Sequence, residues 1–163
     1  MRKEFVLSVA FICMLGSGGF IQMAQAETSS QKCWDKAAAG GQSDLNQCAL
    51  QDYQTDDLQL NAVYQAIEQK YQENPAFLVK LKLAQEAWIK YRDAELAMMY
   101  PPEPDDNPDD DYLTHYGSSY PMCKSMYLDG LTQNRIKELK QWLNVPKNSY
   151  TCMGSIGDTR ALN

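Results

Sequence analysis

A single histidine, His115, stands among 163 residues, and that scarcity excludes most nucleophilic catalysis. Serine and cysteine nucleophiles need a poised base beside them. The one histidine lies in Thr114-His115-Tyr116-Gly117, with no Gly-x-Ser-x-Gly framing anywhere in the chain. Cys-x-x-Cys is missing too, and no cysteine stands at metal-ligand spacing from His115, so a zinc site is not expected. The acid-rich run Asp105-Asp106-Asn107-Pro108-Asp109-Asp110-Asp111 lacks the glycine turn and terminal glutamate of an EF-hand. Those acids share one loop, whereas glycoside hydrolysis needs an acid and a base in distinct environments across a cleft. Basic residues are also few: 15 Lys and Arg against 21 Asp and Glu give a net charge of −6, which disfavours nucleic acid and anionic membranes as partners. Strand-like alternation is absent. An all-α, non-enzymatic protein without metal or cofactor is the expectation.

The long apolar run that the body of the chain lacks is found at its start. Met1-Arg2-Lys3 is followed by an apolar stretch from Phe5 to Ile21 and by Ala24-Gln25-Ala26, the small-x-small pattern of signal peptidase. Residues 1–26 therefore read as a cleaved signal peptide, Cys13 lies inside it without a lipoprotein cleavage pattern, and export to the periplasm or medium follows. No later segment is apolar enough to cross a bilayer. Cleavage leaves 137 residues, 27–163, enough for one domain. It also removes two cations and one acid, so the net charge becomes −7.

Four cysteines remain, Cys33, Cys48, Cys123 and Cys152, and in an exported chain an even number reads as two disulfides. Three connectivities are open. The sequence-local one, Cys33 with Cys48 and Cys123 with Cys152, is the expectation.

Helical periodicity organises the rest. Residues 27–42 are polar, contain Gly40-Gly41, and read as a loose arm held by Cys33. Tyr53, Asp57, Leu60, Tyr64, Ile67 and Tyr71 recur at steps of four and three, predicting a helix over about 44–73. Asn74-Pro75 ends it and opens a second helix over about 75–100, asparagine as N-cap and proline in the first turn. Its stripe is Leu78, Leu81, Ala84, Trp88, Tyr91, Glu95 and Met98. Residues 101–118 read as a solvated loop carrying Glu103, Asp105, Asp106, Asp109, Asp110 and Asp111, with prolines that forbid a helix. A third helix is expected over about 121–144, with Cys123, Met126, Tyr127, Leu131, Leu139, Trp142 and Leu143 as its apolar side. The predicted architecture is a small antiparallel three-helix bundle stapled by disulfides.

The densest polar-aromatic cluster runs from Ala84 to Glu95. Gln85, Trp88 and Arg92 fall at i, i+3 and i+7 and share a stripe. Tryptophan and arginine dominate binding hot spots, yet the weightier reading is structural: a tryptophan anchor, with Gln85 and Arg92 bonded across to Asn61 or Asp57 of the first helix.

The run Ala84-Gln85-x-x-Trp88-x-x-Tyr91-Arg92-Asp93-Ala94 resembles the signature helix of the LprI-type lysozyme-inhibitor family of small exported bacterial proteins. Leu60-Asn61-x-x-Tyr64, Cys33 and Cys48 ahead of it, and Cys123 followed by Leu131-Thr132-x-x-Arg135-x-x-x-Leu139 agree in order. The family usually has a cysteine shortly after Arg-Asp-Ala. Leu96 stands there, and the resemblance then implies that Cys123 is freed to bond Cys152. It further implies a protein partner, a lysozyme, bound without catalysis; the charge of the loop, six of the seven net negative charges, points to a basic one whose approach these acids steer. An immunity or envelope-interaction protein that binds another toxin or periplasmic partner is the competing expectation.

Overall fold

A computed structural model of the chain describes residues 29–101 and 112–144. The expected signal peptide, the acids Glu103 to Asp111 and Cys152 lie outside the described residues. Residues 29–38 form α1, followed by α2 (Gln42–Lys70), α3 (Pro75–Met99), α4 (Tyr112–Tyr116) and α5 (Tyr120–Leu143). Among the described residues there is no strand. No helix there is long and apolar enough to cross a membrane.

Two expectations of loop are overturned. The stretch before α2 is helical over 29–38, because it has something to pack on: Ala37 is buried, Trp34 Nε1 donates to Asp52 Oδ2 of α2 at 2.6 Å, and Cys33 is bonded to Cys48. That bridge spans 15 residues with Cα atoms 5.7 Å apart, a closure that stabilises by about 3 kcal/mol on chain-entropy grounds. Within the expected 101–118 loop, residues 112–116 form a turn and a half of helix. Its Tyr116 ring sits 5.2 Å from Tyr100 and 5.7 Å from Tyr120, and Tyr100 meets Tyr120 edge-on at 5.0 Å. Aromatic packing of this kind orders a short segment that propensity alone would leave open.

Helix ends follow the chemistry of their residues. Asn74 Oδ1 accepts from the Phe77 N–H at 3.0 Å with Pro75 behind it, as the N-cap reading requires. Asp44 Oδ2 reaches back to the Gly41 N–H at 3.3 Å. At the far end of α5 the orphan carbonyls are taken by α2: Lys70 Nζ donates to the carbonyls of Trp142 at 2.9 Å and Leu143 at 3.1 Å, and the Tyr71 hydroxyl to Trp142 at 3.1 Å. A cation there also suits the negative end of the helix dipole.

The core is the seam between α2 and α5. Leu60, Val63, Ile67 and Tyr71 meet Ile136 and Leu139, with Leu81 the one buried residue of α3. These two helices are far apart in sequence and run parallel: Gln42 and Asn46 lie beside Met122 and Ser118, while Lys70 and Tyr71 lie beside Trp142. The antiparallel relations are those of α3 with its neighbours, since Gln85 meets Arg135 and Glu95 meets Tyr127. On α5 the buried face is Ser125, Leu128, Thr132, Ile136 and Leu139. Met126, expected on the apolar side, is 53 % exposed. The expected face was rotated because serine and threonine line the true one, where small side chains let two helices approach closely.

Candidate functional site

α3 is fastened to α5 by the motif residues themselves. Arg135 of α5 donates from Nε to Gln85 Oε1 at 3.1 Å and from Nη1 to Glu138 Oε2 at 3.0 Å. Its guanidinium lies 5.9 Å from the centre of the Trp88 ring, and that of Arg92 lies 5.5 Å away. Trp88 itself is half-buried against the core. Arg92 in turn grips Asp93 Oδ1 through Nε at 2.9 Å and Nη2 at 2.7 Å. The side chains of Arg92 and Arg135 are only 19 % and 13 % exposed, their carboxylate partners 58 % and 61 %. Two cations are thus drawn in along an indole with acids over them, and partial desolvation strengthens such contacts.

One turn further along, Glu95 accepts from the Tyr127 hydroxyl at 3.0 Å. Tyr91 hydrogen-bonds the same carboxylate. That hydrogen bond raises Tyr127 above the ordinary tyrosine range, and the charge of Glu95 does so for Tyr91. Neither phenol ionises near neutrality.

Gln85, Trp88, Arg92, Asp93 and Arg135 therefore come together, and Tyr91, 52 % exposed, sits at their edge. Leu60 is core, and Tyr64 packs against the core. Asn61 is apart: it is exposed and its Nδ2 donates to Asp57 within α2 at 3.3 Å. The expected bonds from Gln85 and Arg92 to Asn61 or Asp57 are replaced by the Arg135 and Asp93 contacts, because α3 lays this stripe against α5. Arg92 reaches α2 only through its charge, which pulls Tyr53 down while burial, the larger effect, pushes it up. Cys123 is half-buried and bonded to no described cysteine; Cys152, its expected partner, lies outside the described residues.

The sequence reading missed a carboxylate cluster between α2 and α5. Asp129 lies against Asp56, with Asp52 near; Gln133 donates to its Oδ2 at 3.0 Å, and its Oδ1 is buried with no donor. Burial foremost, then the hydrogen bond and charge of Asp56 and the charge of Asp52, push Asp129 up to about 7. Asp129 and Asp56 line a groove of about 1000 Å³ with Gln51, Lys137 and Lys140 among its walls. Asp52 and Asp56 at i, i+4 were visible as a helical pair; their pairing with Asp129 needs the α2–α5 register, which no local pattern carries. No cluster of metal-ligating side chains is found among the described residues.

The sequence profile of the family described as Lysozyme inhibitor LprI matches residues 33–139. An uncharacterized protein of Rhizobium meliloti (strain 1021), R02472, is 32 % identical over 125 residues, covering 70 % of this chain and 82 % of the relative. No solved structure matches.

Proposed function

Because the chain belongs to the LprI lysozyme inhibitor family, we propose that it is an exported, non-enzymatic protein that inhibits a lysozyme or related wall hydrolase by stoichiometric binding. The observation that carries this reading is the extent of the family match, residues 33–139, which takes in α2, α3 and almost all of α5. The geometry supports it in a second way. The motif residues spend their polar groups on one another, Arg135 on Gln85 and Glu138, Arg92 on Asp93. Such a locked seam suits a rigid scaffold that presents surface, since preorganised binders lose little entropy on docking.

The acids Glu103, Asp105, Asp106, Asp109, Asp110 and Asp111 account for six negative charges in nine residues. In this reading they attract a basic lysozyme at long range. Exposed charges act mainly on association rate and are screened beyond about 8–10 Å at physiological salt. Changing the five aspartates to asparagine is expected to slow association about tenfold or less and to flatten its salt dependence, with dissociation nearly unchanged. Kinetic binding against lysozymes of several classes, at low and high salt beside a wall-lysis assay, tests this. Absence of binding to any lysozyme at low salt refutes the inhibitor reading; a larger change in off-rate than on-rate refutes the steering role alone.

A further inference from the structure

The outer face of α5 is bare along its length. Met126, Gly130, Asn134, Lys137 and Gln141 recur at steps of four and three, which keeps them in one stripe, and every one is exposed. The opposite face, Ser125 to Leu139, is spent on the core with α2, while Tyr127 and Arg135 fasten one flank to α3. Cys123 stands three residues before Met126 at the head of the stripe, and Asn144 three residues after Gln141 at its foot. Glycine is a poor helix former, yet Gly130 occupies the middle of the stripe, where an added Cβ would meet nothing within 4 Å. Nothing among the described residues uses the gap it leaves.

Chain length says what covers this face. Cys33 and Cys48 are bonded to each other, so after the expected leader cleavage Cys152 is the one cysteine left for Cys123. From Cys123 to Asn144 is 21 residues, about 32 Å of helix. From Asn144 onward to Cys152 is 8 residues, at most about 29 Å when fully extended. A disulfide adds about 4–7 Å between its Cα atoms. The spans match only when residues 145–151 run straight back, antiparallel to α5, with no slack to pass over α2 or α3. Pro146 suits such a course, because it disfavours the helical region for Val145 and turns the chain extended at once. The straight path is the bare stripe, and the missing side chain of Gly130 lets a second backbone come close at its middle.

We propose that residues 145–151 form a strap along the outer face of α5, seated across Gly130 and closed by a Cys123–Cys152 disulfide. Closure oxidises the two thiols: their two electrons and two protons pass to a disulfide oxidant, which leaves as two thiols. The strap ties together the two ends of the helix on which α2 and α3 are fastened, and it denies this face to any protein partner.

Protein expressed with its own leader, recovered from the periplasm and alkylated without reductant is expected to be a monomer whose digest holds one peptide pair joined through Cys123 and Cys152. The purified protein is then equilibrated in glutathione buffers, and the closed fraction is read by alkylation and mass. Deleting Asn148 and Ser149 removes about 7 Å of reach and is expected to weaken closure about tenfold or more, since a linker that cannot span its sites has almost no effective concentration. Two glycines inserted at the same point leave closure within about threefold of the parent. Gly130→Leu is expected to weaken closure about tenfold or more, because its side chain fills the path of the strap. In a background of Cys123→Ser with Cys152→Ser the same change melts no lower than that background, leucine being the better helix former in a space that α5 leaves open. Circular dichroism confirms that each variant is folded. A bridge between two copies, two free thiols in oxidising glutathione, a deletion that closes as well as the parent, or closure indifferent to Gly130→Leu overturns the proposal. The bridge in the cell rests on the export reading, whereas closure in glutathione does not: a chain that stays in the cytosol with free thiols yet closes in the buffer overturns export and leaves the strap standing.

Discussion

α2 and α3 are of similar length, yet they enter the structure in different ways. α2 buries Cys48, Ala49, Leu60, Val63 and Ile67, and α5 answers with five buried residues of its own; α3 buries only Leu81. The difference is one of side-chain size. Between α2 and α5 the contact includes alanine, serine and threonine, so the helices close up. Between α3 and the rest stand Phe77, Leu78 and Trp88, partly buried, with charged and amide groups completing the seam. Stability is therefore concentrated in one parallel pair. α3 behaves as a surface-bearing element laid over it.

The largest effect that would break this comparison is a truncation in each region. Ile67→Ala removes a fully buried side chain and is expected to cost about 2–5 kcal/mol, the range for aliphatic-to-alanine changes in cores. Val79→Ala, on the open side of α3, is expected to stay within about 0.5 kcal/mol. Urea titration of both variants decides the matter, and comparable losses would mean that α3 is packed as tightly as α2.

Trp88→Ala sharpens the boundary between the regions. The indole is half-buried and carries two guanidinium contacts, so a loss of about 2–3 kcal/mol is expected, between the two truncations above. A melting temperature that does not move, with partner binding gone, would recast Trp88 as an exposed hot spot.

The sequence carried the helices well where chemistry is local. Asn74-Pro75 marks a boundary whatever lies around it, and Leu60, Ile67 and Tyr71 announce one face of α2 by spacing alone. Cys33 and Cys48 were also legible, being close in sequence and ahead of one helix. What could not be read was the choice of neighbour. Gln85 and Arg92 signalled a polar seam, but only the register of α5 brings Arg135 to Gln85 and to the Trp88 ring. The core face of α5 escaped notice for a related reason: Ser125 and Thr132 are buried for closeness of approach, and hydrophobic periodicity passes over them. Order at 112–116 depends on Tyr100 and Tyr120 meeting Tyr116, a contact between two helix ends and a segment that looks loop-like by itself.

The smallest expected effect probes a buried carboxyl in the strong pair, Asp129. Its carboxyl is pushed up to about 7 by burial first and by Asp56 and Asp52 after it, and the charged groups facing the same groove are Asp52 and Asp56 from α2 and Lys137 and Lys140 from α5. The folded protein holds a proton there that the unfolded chain releases near the ordinary value of 3.8. Protons bound by the folded state and not by the unfolded one make stability fall as pH rises. The contribution is therefore complete below the ordinary value, declines between it and about 7, and is gone above. Asp129→Asn keeps a donor opposite Asp56 and carries no charge at any pH. It is expected to melt a few degrees above the parent at about pH 8 and to lose that advantage by about pH 4. Melting curves of parent and variant across that range isolate the Asp129 cluster, because titrations elsewhere in the chain are common to both. Parallel curves, with no gap opening on the alkaline side, would mean that Asp129 ionises like an exposed carboxylate.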